Sequence, residues 1–85
     1  MKAHTIVAAL LAIGITTTVL ADDTADCIKT SGIKPSDTAI AACTRVIQSG
    51  RFHGKRLSIL YNFRGDARVN KGDFDGAIAD YNRAL

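Results

Sequence analysis

The chain has 85 residues, of which 11 are lysine or arginine and 8 are aspartate or glutamate, giving a net charge of +3 at pH 7. This length allows at most one small domain. Positive and negative charges are nearly balanced, which does not favour a nucleic-acid or membrane-surface partner. Basic residues are spread along the chain, and the only local group, formed by Arg51, Lys55 and Arg56, is interpreted as a solvated loop.

The first 21 residues have the three regions of a secretory signal. Lys2 supplies the positive start, and the apolar run from Ile6 to Ile15 is shorter than the roughly 20 residues that span a bilayer. Val19 and Ala21 stand at positions −3 and −1 of a cleavage site, so the mature chain is expected to begin at Asp22. An uncleaved anchor or a buried helix is the alternative. We expect an exported chain without stable membrane insertion.

A short polar helix is expected at Asp22–Thr30, followed by a longer one from about Ser36 to Ser49. Gly50 fits the left-handed residue that ends many helices. The apolar residues of the longer helix recur at the i, i+3, i+4, i+7 spacing of one face, and they are Ala39, Ile40, Cys43, Val46 and Ile47.

A third helix is predicted over Lys55–Lys71 with Gly72 at its end, and Asp73 is expected to cap a last helix that runs to Leu85. The inward face of the third helix is predicted to contain Leu57, Leu60, Tyr61, Gly65 and Val69. That of the last helix is predicted to contain Phe74, Ala77, Ile78, Tyr81, Ala84 and Leu85. Strand-like alternation is absent, so the sequence predicts an all-α fold.

An internal repeat with an offset of 38 residues supports this organisation. The segment from Ala39 to Ile47 lies over the segment from Ala77 to Leu85. Alanine, isoleucine, alanine and arginine coincide at four of these positions, and the last two positions stay apolar.

The second half of the chain resembles the tetratricopeptide repeat, a pair of antiparallel helices used for protein binding. The residues that carry the resemblance are its small and aromatic positions, Tyr61, Gly65, Ala77, Tyr81 and Ala84. It implies about one and a half hairpins, with a degenerate half repeat and loop over residues 22–57 and a repeat over residues 58–85 that is incomplete at its end. Arg68 departs from the pattern, which has a large apolar residue there. The resemblance also implies a bacterial protein, periplasmic or secreted.

A stack of such hairpins needs about three repeats to cover its apolar faces. Two expectations therefore stay open: either the chain is a truncated member of a longer protein, or it pairs with another copy of itself.

The two cysteines, Cys27 and Cys43, suggest a bridge, because an even cysteine count in an exported chain is typical of disulfides. In the repeat alignment Cys27 lies over Gly65 and Cys43 over Tyr81, which the resemblance makes facing positions of a hairpin. Unpaired buried thiols are the alternative. A zinc site with His53 would lack a fourth ligand, and a catalytic thiol would have only His53 as a base.

Asp73 is interpreted as a helix cap, and Asp66, Asp75 and Asp80 as solvated charges or charges at a helix N-terminus. No catalytic residue, metal or cofactor is predicted. The resemblance implies a non-enzymatic module that binds a protein or peptide, or another copy, on the concave face of its first helices. The residues at those positions are Ile59, Asn62, Phe63, Asp66, Val69 and Asn70. The alternatives are the N-terminal segment of a larger exported enzyme, such as a peptidase, and a structural protein that self-associates through Ala77–Leu85.

Overall fold

The computed structural model describes residues 20–29, 32 and 36–85, and in these ranges it contains four helices and no strand. We number them α1 (residues 20–29), α2 (Ser36–Gln48), α3 (Gly54–Lys71) and α4 (Phe74–Ala84). The all-α prediction is confirmed. The signal predicted over residues 1–21 lies outside the described residues except for Leu20 and Ala21, which are helical here. None of the described helices is long and apolar enough to cross a membrane.

The boundary between α3 and α4 is set by two residues, as predicted. Gly72 has a φ of 90°, which glycine adopts without strain. It lets the backbone N–H groups of Gly72 and Asp73 donate to the carbonyls of Val69 and Arg68. The Asp73 carboxylate then accepts a 3.0 Å hydrogen bond from the N–H of Gly76 and caps α4.

Consecutive helices run antiparallel. Thr44 of α2 contacts Arg64 of α3, whereas Asp37, at the start of α2, contacts Lys71 at the end of α3. Contacts between α3 and α4 run in the same opposed order, from Arg64–Asp80 to Arg68–Gly76. Helix α3 therefore packs between α2 and α4.

The apolar core joins α1, α2 and α3 and has the disulfide at its centre. Cys27 and Cys43 are fully buried, and their Sγ atoms are bonded at 2.03 Å. Around them lie Ala42, Val46 and Leu60, with Leu20, Ile47, Phe52 and Phe63 packed against this cluster. The face predicted for α2 is confirmed, since all five of its residues are buried or half-buried.

Two predicted inward faces are partly wrong. On α3, Leu60 and Gly65 are buried, but Val69 is exposed, and the other buried residues are Arg64 and Ala67. On α4, Ala77 is buried and Tyr81 and Ala84 are half-buried, while three predicted inward residues are exposed, namely Phe74, Ile78 and Leu85. The reason is that α4 packs against α3, whereas no packing of α2 against α4 covers its second side.

Candidate interaction surface

The polar residues predicted for partner binding form an exposed stripe on α3. Asn62, Asp66 and Asn70 are four residues apart, so they lie on one side of the helix, and all three are exposed. Helix α3 is held on its other sides by α2 and α4. The stripe therefore lies on a helix that packs against two other helices.

One member of the stripe already has a partner within the chain. The Tyr81 hydroxyl of α4 donates a 2.5 Å hydrogen bond to the Asp66 carboxylate. This bond, together with burial and the nearby negative charge, raises the pKa of Tyr81 to about 12. Asp66 thus helps to orient the tyrosine ring through one of its two carboxylate oxygens.

The apolar residues predicted for the same surface divide into two groups. Ile59 and Val69 are exposed, at 47% and 42% of their full surface. Phe63 instead packs against the core around the disulfide. Phe63 thus belongs partly to the core, and Ile59 and Val69 are the exposed apolar residues of the predicted surface.

The small and aromatic residues assigned to helix packing meet at the α3–α4 contact. A Cβ atom on Gly65 would lie 2.7 Å from Cε1 of Tyr81, so only glycine lets the ring pack this closely. Ala77 is 1% exposed in the same interface. Tyr61 lies four residues before Gly65 on α3. The guanidinium groups of Arg64 and Arg83 lie 5.4 and 5.9 Å from the centre of its ring.

A buried ionic cluster between α3 and α4 corrects the interpretation of Asp80 as a solvated charge. Asp80 has no exposed surface, and its carboxylate accepts two hydrogen bonds from Arg64, at 2.7 and 2.9 Å, and one from Arg68, at 2.9 Å. Arg64 also donates to the Thr44 hydroxyl of α2 at 3.1 Å. Arg68, in place of the expected large apolar residue, supplies the second positive charge.

The spacing of residues on α4 indicates that Asp80 faces α3, although an aspartate is not expected in a buried position. Asp80 follows Ala77 by three residues and precedes Ala84 by four, which puts it on the face that packs against α3. Aspartate is almost never fully buried unless it is paired, so the sequence interpretation placed it in solvent. Arg64 and Arg68, four residues apart on α3, were a second indication, since they could supply the positive charges that a buried aspartate needs.

Helices α1 and α2 are joined by a charged pair as well as by the disulfide. The Arg45 guanidinium donates two 2.8 Å hydrogen bonds to the Asp23 carboxylate. These bonds lower the pKa of Asp23 and raise that of Arg45. Asp23 lies four residues from Cys27 and Arg45 two residues from Cys43, so the ion pair lies within about one turn of the disulfide and helps to fix how α1 lies on α2.

An apolar depression opens between α1, the loop at residues 51–53 and the first turns of α3. We call it the α1–α3 groove; its volume is about 210 Å³, and it is lined by Thr24, Ile28, Phe52, Arg56, Ile59 and Leu60. Ile28 and Ile59 are 43% and 47% exposed at its rim. Of the six lining residues, only Ile59 belongs to the predicted surface, because three separate segments form the groove.

A second depression lies at the opposite end of α3. It has a volume of about 230 Å³ and is lined by Ser36, Asp37, Asn70 and Lys71. Lys71 and Asp37 form an ion pair across it at 2.6 Å. Its two charges thus neutralise each other, and its only member of the predicted stripe is Asn70.

The cysteines and His53, weighed above for chemistry, can be placed in the described structure. Both cysteines are bonded to each other, and no group of three or more histidine, cysteine, aspartate or glutamate residues in the described ranges could hold a metal ion. His53 lies exposed in the loop before α3. Comparisons of the chain with models of known protein families, with curated proteins and with solved structures returned no match.

Proposed function

We propose that this chain is a protein-interaction module of the tetratricopeptide-repeat type and that it binds a peptide segment of a partner along α3. The observation that carries the proposal is the exposed stripe of Asn62, Asp66 and Asn70 on a helix packed between two others. Amide and carboxylate groups at helical spacing can hydrogen-bond an extended backbone, and exposed Ile59 and Val69 add apolar contact.

Three further features support the repeat type. Consecutive helices are antiparallel, Gly65 and Tyr81 make the close contact that the repeat pattern requires, and the Cys27–Cys43 bond joins the equivalent positions of the first two helices. The 38-residue offset relates both pairs. The disulfide is also compatible with an oxidising compartment, and we propose a periplasmic or secreted location.

Site-specific photo-crosslinking tests this function in a host that exports the protein. A benzoylphenylalanine is introduced at Asn62 or Asn70, and at Ala41 as a control, since Ala41 is exposed on α2, away from the stripe. We expect discrete adducts from the two α3 positions and none from Ala41. Adducts of equal yield from all three positions, or from none of them, would contradict the proposal.

A further inference from the structure

The first turn of α4 carries an exposed apolar side chain beside a free negative charge. Phe74 is 62% exposed. Asp75 follows it in the first turn of α4, is exposed, and has no ion-pair or hydrogen-bond partner among the described residues. Phe74 and Asp75 together form a small projecting surface, which we call the Phe74 knob.

The α1–α3 groove has the opposite character. Its floor and walls are apolar, and the only charged residue that lines it is Arg56. No aspartate or glutamate occurs between residues 38 and 65, and Arg45 and Arg64 are already paired with Asp23 and Asp80. Arg56 therefore lines the groove without a carboxylate partner in the described structure, and Arg51 and Lys55, which are close to it in the sequence, have no such partner either.

The first turn of α3 adds to this positive potential. It contains no acidic residue, and His53, which precedes it, makes no side-chain capping bond. The partial positive charge at a helix N-terminus is therefore uncompensated by carboxylates beside Arg56. The groove is also smaller than the roughly 300–1,000 Å³ of small-molecule sites, so its volume of about 210 Å³ suits a single large side chain.

We propose that the α1–α3 groove receives the Phe74 knob of a second copy of this chain, with Asp75 facing Arg56. The knob and the groove lie at opposite ends of α3, which is 18 residues long, or about 27 Å at 1.5 Å per residue, so one chain cannot fill its own groove. The contact is head-to-tail and joins two different surfaces. It leaves a free knob and a free groove at the ends of every assembly, so assembly continues with concentration.

This assembly goes beyond the proposed function and does not use the polar stripe of Asn62, Asp66 and Asn70, although Ile59 belongs to both proposed surfaces. It also differs from self-association through Ala77–Leu85, since a face-to-face contact between two α4 helices would use the same surface twice. The two modes predict different behaviour when one surface is removed, which makes complementary variants the decisive experiment.

The experiment compares three serine substitutions of exposed apolar residues in the full chain, purified oxidised after export. Ile59→Ser alters the groove, Phe74→Ser alters the knob, and Val69→Ser is the matched control on α3. Mass is measured by light scattering coupled to size exclusion over a wide concentration range. We expect the wild type and Val69→Ser to grow in mass with concentration, and each of the other two to lose affinity by about tenfold or more.

Mixing the two impaired variants gives the diagnostic result. Ile59→Ser keeps an intact knob and Phe74→Ser keeps an intact groove, so an equal mixture should form a dimer and nothing larger. A charge exchange supplies the second criterion, because Arg56→Asp should weaken assembly and the added substitution Asp75→Arg should restore it. Helicity and melting temperature of each variant establish that it is folded.

Three outcomes would overturn the inference. They are a wild-type chain that stays monomeric, an Ile59→Ser variant that still assembles as well as the wild type, and a mixture that does not form the dimer. If crosslinking from Asn62 to a foreign protein persists in any of these cases, the head-to-tail contact is wrong and the interaction function stands. If those adducts are also absent, both proposals fail.

Discussion

At Asp80 a carboxylate without solvent contact accepts hydrogen bonds from two arginines, so its negative charge is compensated inside the protein. Taking charges out of water is unfavourable, and replacing a whole buried ionic group by apolar residues of similar volume is often neutral or stabilising. Removing one partner is different because the remaining charges stay buried. We therefore expect the cluster to select the alignment of α4 on α3 more than it adds to stability.

Asp80→Asn should destabilise the protein by about 3–5 kcal/mol, because it leaves Arg64, which is 7% exposed, without a countercharge. The free energy of unfolding in urea measures the effect. Asp75→Asn is the matched control, since Asp75 is exposed on the same helix, and it should change stability by no more than about 0.5 kcal/mol. Similar losses in both variants would show that the burial of Asp80 has no energetic consequence.

Alkaline pH should destabilise the protein through Tyr81. Its pKa is about 12 in the folded chain, and that of an unfolded tyrosine is about 10. The contribution of Tyr81 is therefore complete below pH 10 and is lost as the pH rises from 10 to 12. We expect Tyr81→Phe to be less stable at pH 8 and to show a smaller loss between pH 9 and pH 11.5.

The unfolding midpoint at each pH provides the measurement, with Tyr61→Phe as the control for removing one phenol. The Tyr61 ring is contacted by arginines and its hydroxyl makes no bond to Asp66. That variant should be less destabilised at pH 8 than Tyr81→Phe, because it removes no bond to Asp66. An unchanged slope in Tyr81→Phe would mean that the Asp66–Tyr81 bond does not persist in solution.

At the scale of single helices, the α3–α4 contact depends on small residues at Gly65 and Ala77. Ala77→Leu should destabilise the protein by about 1–3 kcal/mol, because added methyl groups force the helices apart. Ala79→Leu adds the same atoms to an exposed position of α4 and should have little effect. Thermal unfolding of the two variants separates overpacking from helix propensity, and equal melting temperatures would argue against the close contact.

The helices and their ends were predictable because they depend on local chemistry. Gly72 and Asp73 end one helix and cap the next through bonds within a few residues, and the α2 face was predicted because helices cover it on both sides. The exposure of Phe74 and Ile78 was not predictable. An apolar stripe indicates that another element could pack against a helix, but the stripe does not tell whether such an element is present.

The candidate site was predicted less completely for a related reason. Helical spacing was enough to place Asn62, Asp66 and Asn70 on one exposed side of α3. The bond from Tyr81 to Asp66 and the α1–α3 groove depend on contacts between segments distant in the sequence. The groove combines residues 24 to 60, and no spacing within one helix indicates that they meet.

Across the whole described structure, two different kinds of packing hold the helices together. Around α1 and α2 the core is apolar and centred on the disulfide, whereas the α3–α4 contact contains the buried ionic cluster. Only α3 belongs to both. A substitution that weakens one of these two contacts should therefore change the stability of α1 and of α4 by different amounts.

Replacing both cysteines by serine should lower stability by about 3 kcal/mol, the entropy of closing a loop of this size, since 16 positions separate Cys27 from Cys43. Hydrogen exchange should show the loss unevenly, with amides of α1 losing protection well before those of α4. Reduction of the wild type gives the same comparison without mutation. Equal loss of protection in α1 and α4 would show that the molecule unfolds as a single unit.

The two-residue link between α3 and α4 has a consequence for the order of folding. Their contacts join residues close in sequence, such as Arg68 with Gly76, and short loops close faster than long ones. We therefore expect the α3–α4 pair to form while both thiols are still reduced and α1 to dock afterwards. The rate at which Cys27 and Cys43 oxidise then reports the docking of α1, so a disulfide catalyst would act on a chain whose C-terminal half is already folded.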